Sequence, residues 1–94
     1  MAPVVSDHRE QIRHLAAKRG VCNLRVFGSA ARSDWTAESD IDLLVDLEPG
    51  RTLLDLGALL LDLQDLLHRK VDLVTPNALH WYVRDRILGE AVPL

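Results

Sequence analysis

Apolar residues fall at helical spacing at Ile12, Leu15 and Ala16, alternate with polar ones from Val21 to Phe27, and alternate again from Asp40 to Leu47. The first pattern predicts a helix with Asp7 as N-cap and Glu10 three residues on, a capping-box arrangement, running to Lys18 and Arg19 and stopped by Gly20. The second predicts a strand over Val21–Phe27 with Cys22, Leu24 and Val26 on one face. It ends at Gly28-Ser29, where a short helix through Ala30, Ala31 and Arg32 starts. A polar loop from Ser33 to Ser39 leads into the strand from Asp40 to Leu47, and Glu48-Pro49-Gly50 reads as a turn.

From Thr52 to His68 the chain is rich in leucine, with Thr52 and Asp55 as a capping pair and a polar seam at Asp55, Ala58, Asp62, Asp65 and Arg69. Leu53, Leu56, Leu60, Leu63 and Leu67 form a stripe suited to a sheet. Leu54, Leu59, Leu61 and Leu66 add more apolar surface than one small sheet face covers, which points either to a protein partner or to cover by another helix. Lys70–Val74 predicts a third strand. Asn77 then caps a last helix carrying Leu79, Tyr82, Val83 and Ile87 and ending near Gly89, with Trp81 and Tyr82 as packing or interface residues.

Ninety-four residues are expected to form a single domain, 1–94, of the α/β class, with three or four strands in a small mixed sheet and helices packed mainly on one face. Such a chain buries only about 60–65% of the surface that its unfolded form exposes, so modest stability is expected. The net charge of −3 argues against electrostatic binding to nucleic acid, and hence against a polymerase working on a long template. One cysteine, Cys22, excludes an internal disulfide and reads as a small core residue in a reducing compartment. The first residues lack the apolar core of a signal peptide, and Asp55, Asp62 and Asp65 interrupt the leucine-rich stretch. The expectation is a cytoplasmic protein with no membrane attachment.

The chemistry concentrates between Val26 and Leu47. Side chains of a strand alternate between faces, so Asp40 and Asp42 share one face with Cα atoms about 6.6–6.8 Å apart, while Ile41, Leu43, Val45 and Leu47 anchor the other. Two carboxylates so placed can bind one Mg²⁺ or a pair, because that cation takes hard oxygen ligands. Asp46, two strand steps further on, reads as a solvated residue outside the site. Asp72, opposite Val71 and Leu73, joins the pair if the second and third strands are neighbours. A Gly-Ser turn at the start of a helix offers backbone N–H groups to an anion.

In Gly28-Ser29, ten intervening residues, Asp40-Ile41-Asp42 and the later Val71-Asp72-Leu73-Val74, the chain resembles the minimal nucleotidyltransferases of the DNA polymerase β-like superfamily. The resemblance covers nearly the whole chain. It implies the polymerase β-like nucleotidyltransferase fold and transfer of AMP from ATP to a hydroxyl. Asp40, Asp42 and Asp72 would be the catalytic and Mg²⁺-holding carboxylates, and Gly28, Ser29 and Arg32 the nucleotide-binding residues. Arg32 either orients phosphates or braces its loop through Asp34 or Glu38. One departure is Ser33, where relatives commonly carry Gly; a position needing φ above zero would strain serine.

Small stand-alone members of this family resemble antitoxins that attach AMP to a tyrosine of a partner toxin of the HEPN class, an all-helical ribonuclease. Two rivals remain: a non-catalytic module that blocks the toxin by contact, and an enzyme that adenylylates a small molecule such as an aminoglycoside. A homo-oligomer is a further expectation. Ser29 is a poor covalent nucleophile because no His or Lys is placed beside it. His8, His14, His68 and His80 lack metal-ligand spacing. Trp35, in the loop before Asp40, serves either as a stacking surface for a base or as a hydrophobic plug.

Overall fold

A computed structural model describes residues 1–32 and 34–94, so the expectation placed on Ser33 lies outside the described residues. A four-residue helix, α1 (Pro3–Ser6), precedes α2 (Arg9–Lys18), β1 (Val21–Phe27), β2 (Ile41–Leu47), α3 (Leu53–Leu67), β3 (Val71–Val74), α4 (Trp81–Glu90) and a short β4 (Val92–Pro93). The four strands form one mixed sheet in the order β3-β2-β1-β4. β1 runs antiparallel to β2 and to β4, and β2 runs parallel to β3. The parallel step requires a crossover, and α3 supplies it.

Ile41, Leu43 and Val45 project from β2 into a core completed by Ile12 and Ala16 of α2, by Leu59, Leu63 and Leu67 of α3, and by Val26 and Val71. Thr52 and Asp55 cap α3 reciprocally, as their spacing predicts: Asp55 accepts from the Thr52 N–H at 3.0 Å and the Thr52 hydroxyl accepts from the Leu54 N–H at 3.2 Å. His68 ends α3 in the left-handed conformation, φ 54°. Among the described residues no helix is long and apolar enough to cross a membrane.

Five local readings are corrected. Asp7 does not cap the first long helix; it ends α1, and α2 starts after His8 without a side-chain cap. Pro3 fixes φ for a helix start and so nucleates a turn that the capping pattern conceals. Asn77 lies within a short 3₁₀ turn, Pro76–Ala78, and α4 is capped instead by His80, whose Nδ1 accepts from the Tyr82 N–H at 3.5 Å.

Cys22 is exposed rather than in the core. Cys22 pairs with Asp46 and Arg25 with Leu44, so two residues of β1 oppose one of β2, and Asn23 takes φ 53° at this bulge. The extra residue turns everything before it to the other face, which sends Cys22 outward and Val21 inward. On α3, Leu59 is buried, whereas Leu53, assigned to the sheet-facing stripe, is exposed. The core stripe is Leu56, Leu59, Leu60, Leu63 and Leu67. Lastly, β4, for which no alternation signals a strand, pairs Val92 with Val26 at the edge of the sheet.

Candidate active site

The site lies where β1 ends and β2 and β3 begin. Asp42 is in register with Phe27 on one side and with Asp72 on the other, and cross-strand partners share a face, so Asp42 and Asp72 stand side by side on the face opposite α2 and α3. Asp40 directly precedes β2 and shares that face by alternation. The apolar residues between the carboxylates supply the anchor: Ile41 and Leu43 are fully buried.

Phe27 passes straight into a 3₁₀ turn over Gly28–Ala31. Gly28 has φ +67°, and a Cβ placed there would lie 2.7 Å from Asp42 Oδ2. Both the backbone conformation and the close approach of Asp42 therefore demand glycine. The first N–H groups of such a turn have no partner within it. The turn is tied to the N-terminal segment by the Ala2 N–H donating to the Ala30 carbonyl at 2.7 Å.

Burial raises the pKa of Asp42, and the negative charges of Asp72 and Asp40, with a hydrogen bond to Asp72, raise it further; Lys70 opposes the shift. Lys70 Nζ lies 3.8 Å from Asp40 Oδ2. Mutual repulsion of adjacent carboxylates is the electrostatic condition that a bound cation relieves. The donor chemistry fits Mg²⁺, which takes carboxylate oxygens. Among the described residues, however, no three acidic, histidine or cysteine side chains are gathered as a ready set of ligands, and Asp40 is engaged by Lys70 instead.

Arg32 is held by Asp34 at 3.3 Å and by Glu90 of α4 at 3.8 Å, so the bracing contact with Asp34 is present; Glu90 was not foreseen. Trp35 is half-buried against the core with the Arg69 guanidinium 4.9 Å from its ring centroid, the position of a plug. Arg69 also donates to the Ala37 carbonyl, which fastens the loop before Asp40 to the end of α3. Asp46 accepts from Asn23 Nδ2 at 2.7 Å and lies 3.6 Å from the Arg25 guanidinium, bracing the bulge. Arg69, read only as part of the polar seam of α3, and Lys70, read only as a strand start, are the charged neighbours whose place at the site the spacing did not show: Arg69 meets the loop before Asp40 and Lys70 meets Asp40 itself.

A Gly-Ser turn closing on a carboxylate of an Asp-x-Asp strand, with a further carboxylate in register on the parallel neighbour, defines a nucleotidyltransferase-type site. The chain belongs to the nucleotidyltransferase domain family, whose profile matches residues 6–94. It is 40% identical to the putative protein adenylyltransferase MJ0435 of Methanocaldococcus jannaschii over 94% of this chain and 95% of that protein. The solved structure of a putative minimal nucleotidyltransferase superposes with a TM-score of 0.87 at 43% identity, covering 100% of this chain and 97% of that one. A crystal structure of a toxin-antitoxin with AMP-PNP shares the fold with a TM-score of 0.74 at 20% identity, covering 89% of this chain and 69% of that one.

Proposed function

We propose that this protein is a Mg²⁺-dependent protein adenylyltransferase that moves AMP from ATP to a tyrosine hydroxyl of a HEPN-class toxin, and so acts as its antitoxin. The observation that carries the reading is the pairing of Asp42 with Asp72 beneath the Gly28 turn. The kinship with a protein adenylyltransferase along nearly the whole chain supports AMP as the group moved and a protein as the acceptor. The fold shared with a chain of a toxin-antitoxin structure solved with AMP-PNP supports a toxin as that protein.

In this reading the acceptor oxygen attacks the α-phosphorus of ATP, a new O–P bond forms, the bond to the β-phosphate oxygen breaks, and pyrophosphate leaves. Gly28 and Ser29 bind the triphosphate through the turn's N–H groups. Asp72, the more exposed member of the pair, takes the proton of the acceptor hydroxyl. Mg²⁺ ions, held by Asp40, Asp42 and Asp72 when bound, supply neutralisation of charge on the attacking and leaving oxygens. Arg32 reaches phosphate only by giving up Asp34 and Glu90.

The test is to incubate wild type, Asp42→Asn and Asp72→Asn with the partner toxin, ATP and Mg²⁺. Intact-mass spectrometry follows, with a ribonuclease assay after the two proteins are separated. AMP transfer predicts a mass increment on a tyrosine, lasting inactivity of the separated toxin, and loss of both with either variant although the complex still forms. An unmodified toxin that regains activity on separation refutes the transferase reading and leaves contact inhibition. Turnover on a small acceptor with no protein present favours the aminoglycoside-type alternative.

A further inference from the structure

We propose that α3 is the self-association surface of this protein, pairing antiparallel with α3 of a second copy about a two-fold axis near Gly57 and Ala58. Viewed down α3, Leu54, Ala58, Leu61 and Asp65 recur every three or four residues on the side opposite the core residues Leu59, Leu63 and Leu67. This outward stripe carries leucines that are 85% and 67% exposed, at positions 54 and 61.

Gly57 lies between them, beside Ala58. Glycine within a helix is destabilising relative to alanine, because it loses more conformational freedom on folding. Nothing in the monomer requires it, since its φ is not positive and a Cβ built there meets no atom within 4 Å. Space left open at the midpoint of an exposed apolar stripe admits the close approach of another helix.

The stripe is symmetric about that midpoint. In an antiparallel pair Leu54 of each copy meets Leu61 of the other, and the residues at Gly57 and Ala58 cross. The charges select the same direction. Asp65, exposed and without an ion pair among the described residues, would face a second Asp65 in a parallel pair. In the antiparallel pair the two Asp65 lie at opposite ends of the interface, each towards the end that carries Arg51 of the other copy, whose stem lies across Gly20 and whose guanidinium is held within its own chain by Asp55 at 3.5 Å. Asp62 is already matched by Arg19 at 3.1 Å and adds no repulsion across the pair.

The acceptor protein is the less suitable occupant. Asp42 and Asp72 lie on the sheet face opposite α3, so a partner seated on this stripe is turned away from the carboxylates. A second copy leaves the site open. One pair of helices about 22 Å long covers less than a standard interface, so the dimer is weak and concentration-dependent.

Sedimentation equilibrium of the full chain is expected to show the average mass rising towards twice the monomer as concentration increases from about 10 µM to about 1 mM, the range of weak complexes. Leu61→Glu is expected to remain monomeric throughout with an unchanged circular dichroism spectrum, because position 61 is outside the core. A residue near the two-fold axis meets its own copy, so Ala58→Cys with Cys22→Ser is expected to form a disulfide-linked dimer on mild oxidation, and Ala17→Cys with Cys22→Ser is not. A wild type that stays monomeric over this range overturns the proposal. So does a dimer that survives Leu61→Glu, or one that does not cross-link at Ala58. Cross-linking of Ala58→Cys to an added toxin in place of a second copy likewise overturns it and gives the stripe to the toxin.

Discussion

Gly28 leaves the space that Asp42 occupies: a Cβ on Gly28 would fall 2.7 Å from Asp42 Oδ2, and Gly28 itself sits at φ +67°. The glycine of the turn and the second carboxylate of Asp-x-Asp are thus one structural unit. The strand end cannot turn over the carboxylate if either the backbone conformation or the clearance is lost.

Gly28→Ala is expected to destabilise the protein by about 1–3 kcal/mol, the cost of a left-handed non-glycine residue, and to weaken ATP binding by moving Asp42. Gly50→Ala is the control. Its φ is +86° but no atom lies within 4 Å of the added Cβ, so it carries the backbone cost without touching the site. Urea denaturation together with ATP titration separates the two effects; equal ATP affinity in Gly28→Ala and wild type would show that the clearance is irrelevant.

Asp42→Asn is expected to be more stable than wild type at neutral pH in the presence of a chelator. Burial and the adjacent carboxylates raise the pKa of Asp42 in the folded state, so ionisation there opposes folding. Stabilisation by the protonated form is fully present below the unfolded-state pKa, near about 4, and is lost as pH rises through the higher folded value. The melting-temperature difference between variant and wild type should therefore shrink as pH falls towards 4. A wild type more stable than Asp42→Asn at pH 7 would contradict this.

Divalent metal should reverse that order. Mg²⁺ with ATP is expected to raise the melting temperature of wild type, and to leave Asp40→Asn/Asp42→Asn unmoved, because a ligand stabilises by its affinity for the folded state alone. Saturation at a hundred times the dissociation constant corresponds to about 2.7 kcal/mol. Calorimetry with and without Mg²⁺ measures the same dependence directly. Equal ATP affinity in wild type and the folded double variant would remove the case for a metal site.

Leu59→Ala and Leu61→Ala, two residues apart on α3, should differ sharply. Leu59 is buried in the core, and its truncation is expected to cost about 2–5 kcal/mol. At concentrations that keep the chain monomeric, truncation of the exposed Leu61 should stay within about 0.5 kcal/mol of wild type. Chemical denaturation of both variants checks the assignment of faces.

Period and punctuation in the sequence were enough to locate the bounds of β1, the body of β2, the capping box of α3 and the third strand, because each rests on interactions within a few residues. The alternation of a strand also fixed that Asp40 and Asp42 share a face, and the spacing of Gly28, Ser29, Asp40 and Asp42 pointed to nucleotide chemistry through its resemblance to the minimal nucleotidyltransferases. The tertiary structure decided what depends on pairing. The bulge at Asn23, which no alternation reveals, put Cys22 outside and Val21 inside. The parallel register of β2 with β3 set Asp72 beside Asp42, a relation between residues thirty positions apart that no local signal encodes. On α3, a helix apolar over most of its circumference, periodicity gives no unique face; only docking on β3 and α2 selected Leu59 for the core and left Leu54 and Leu61 to solvent.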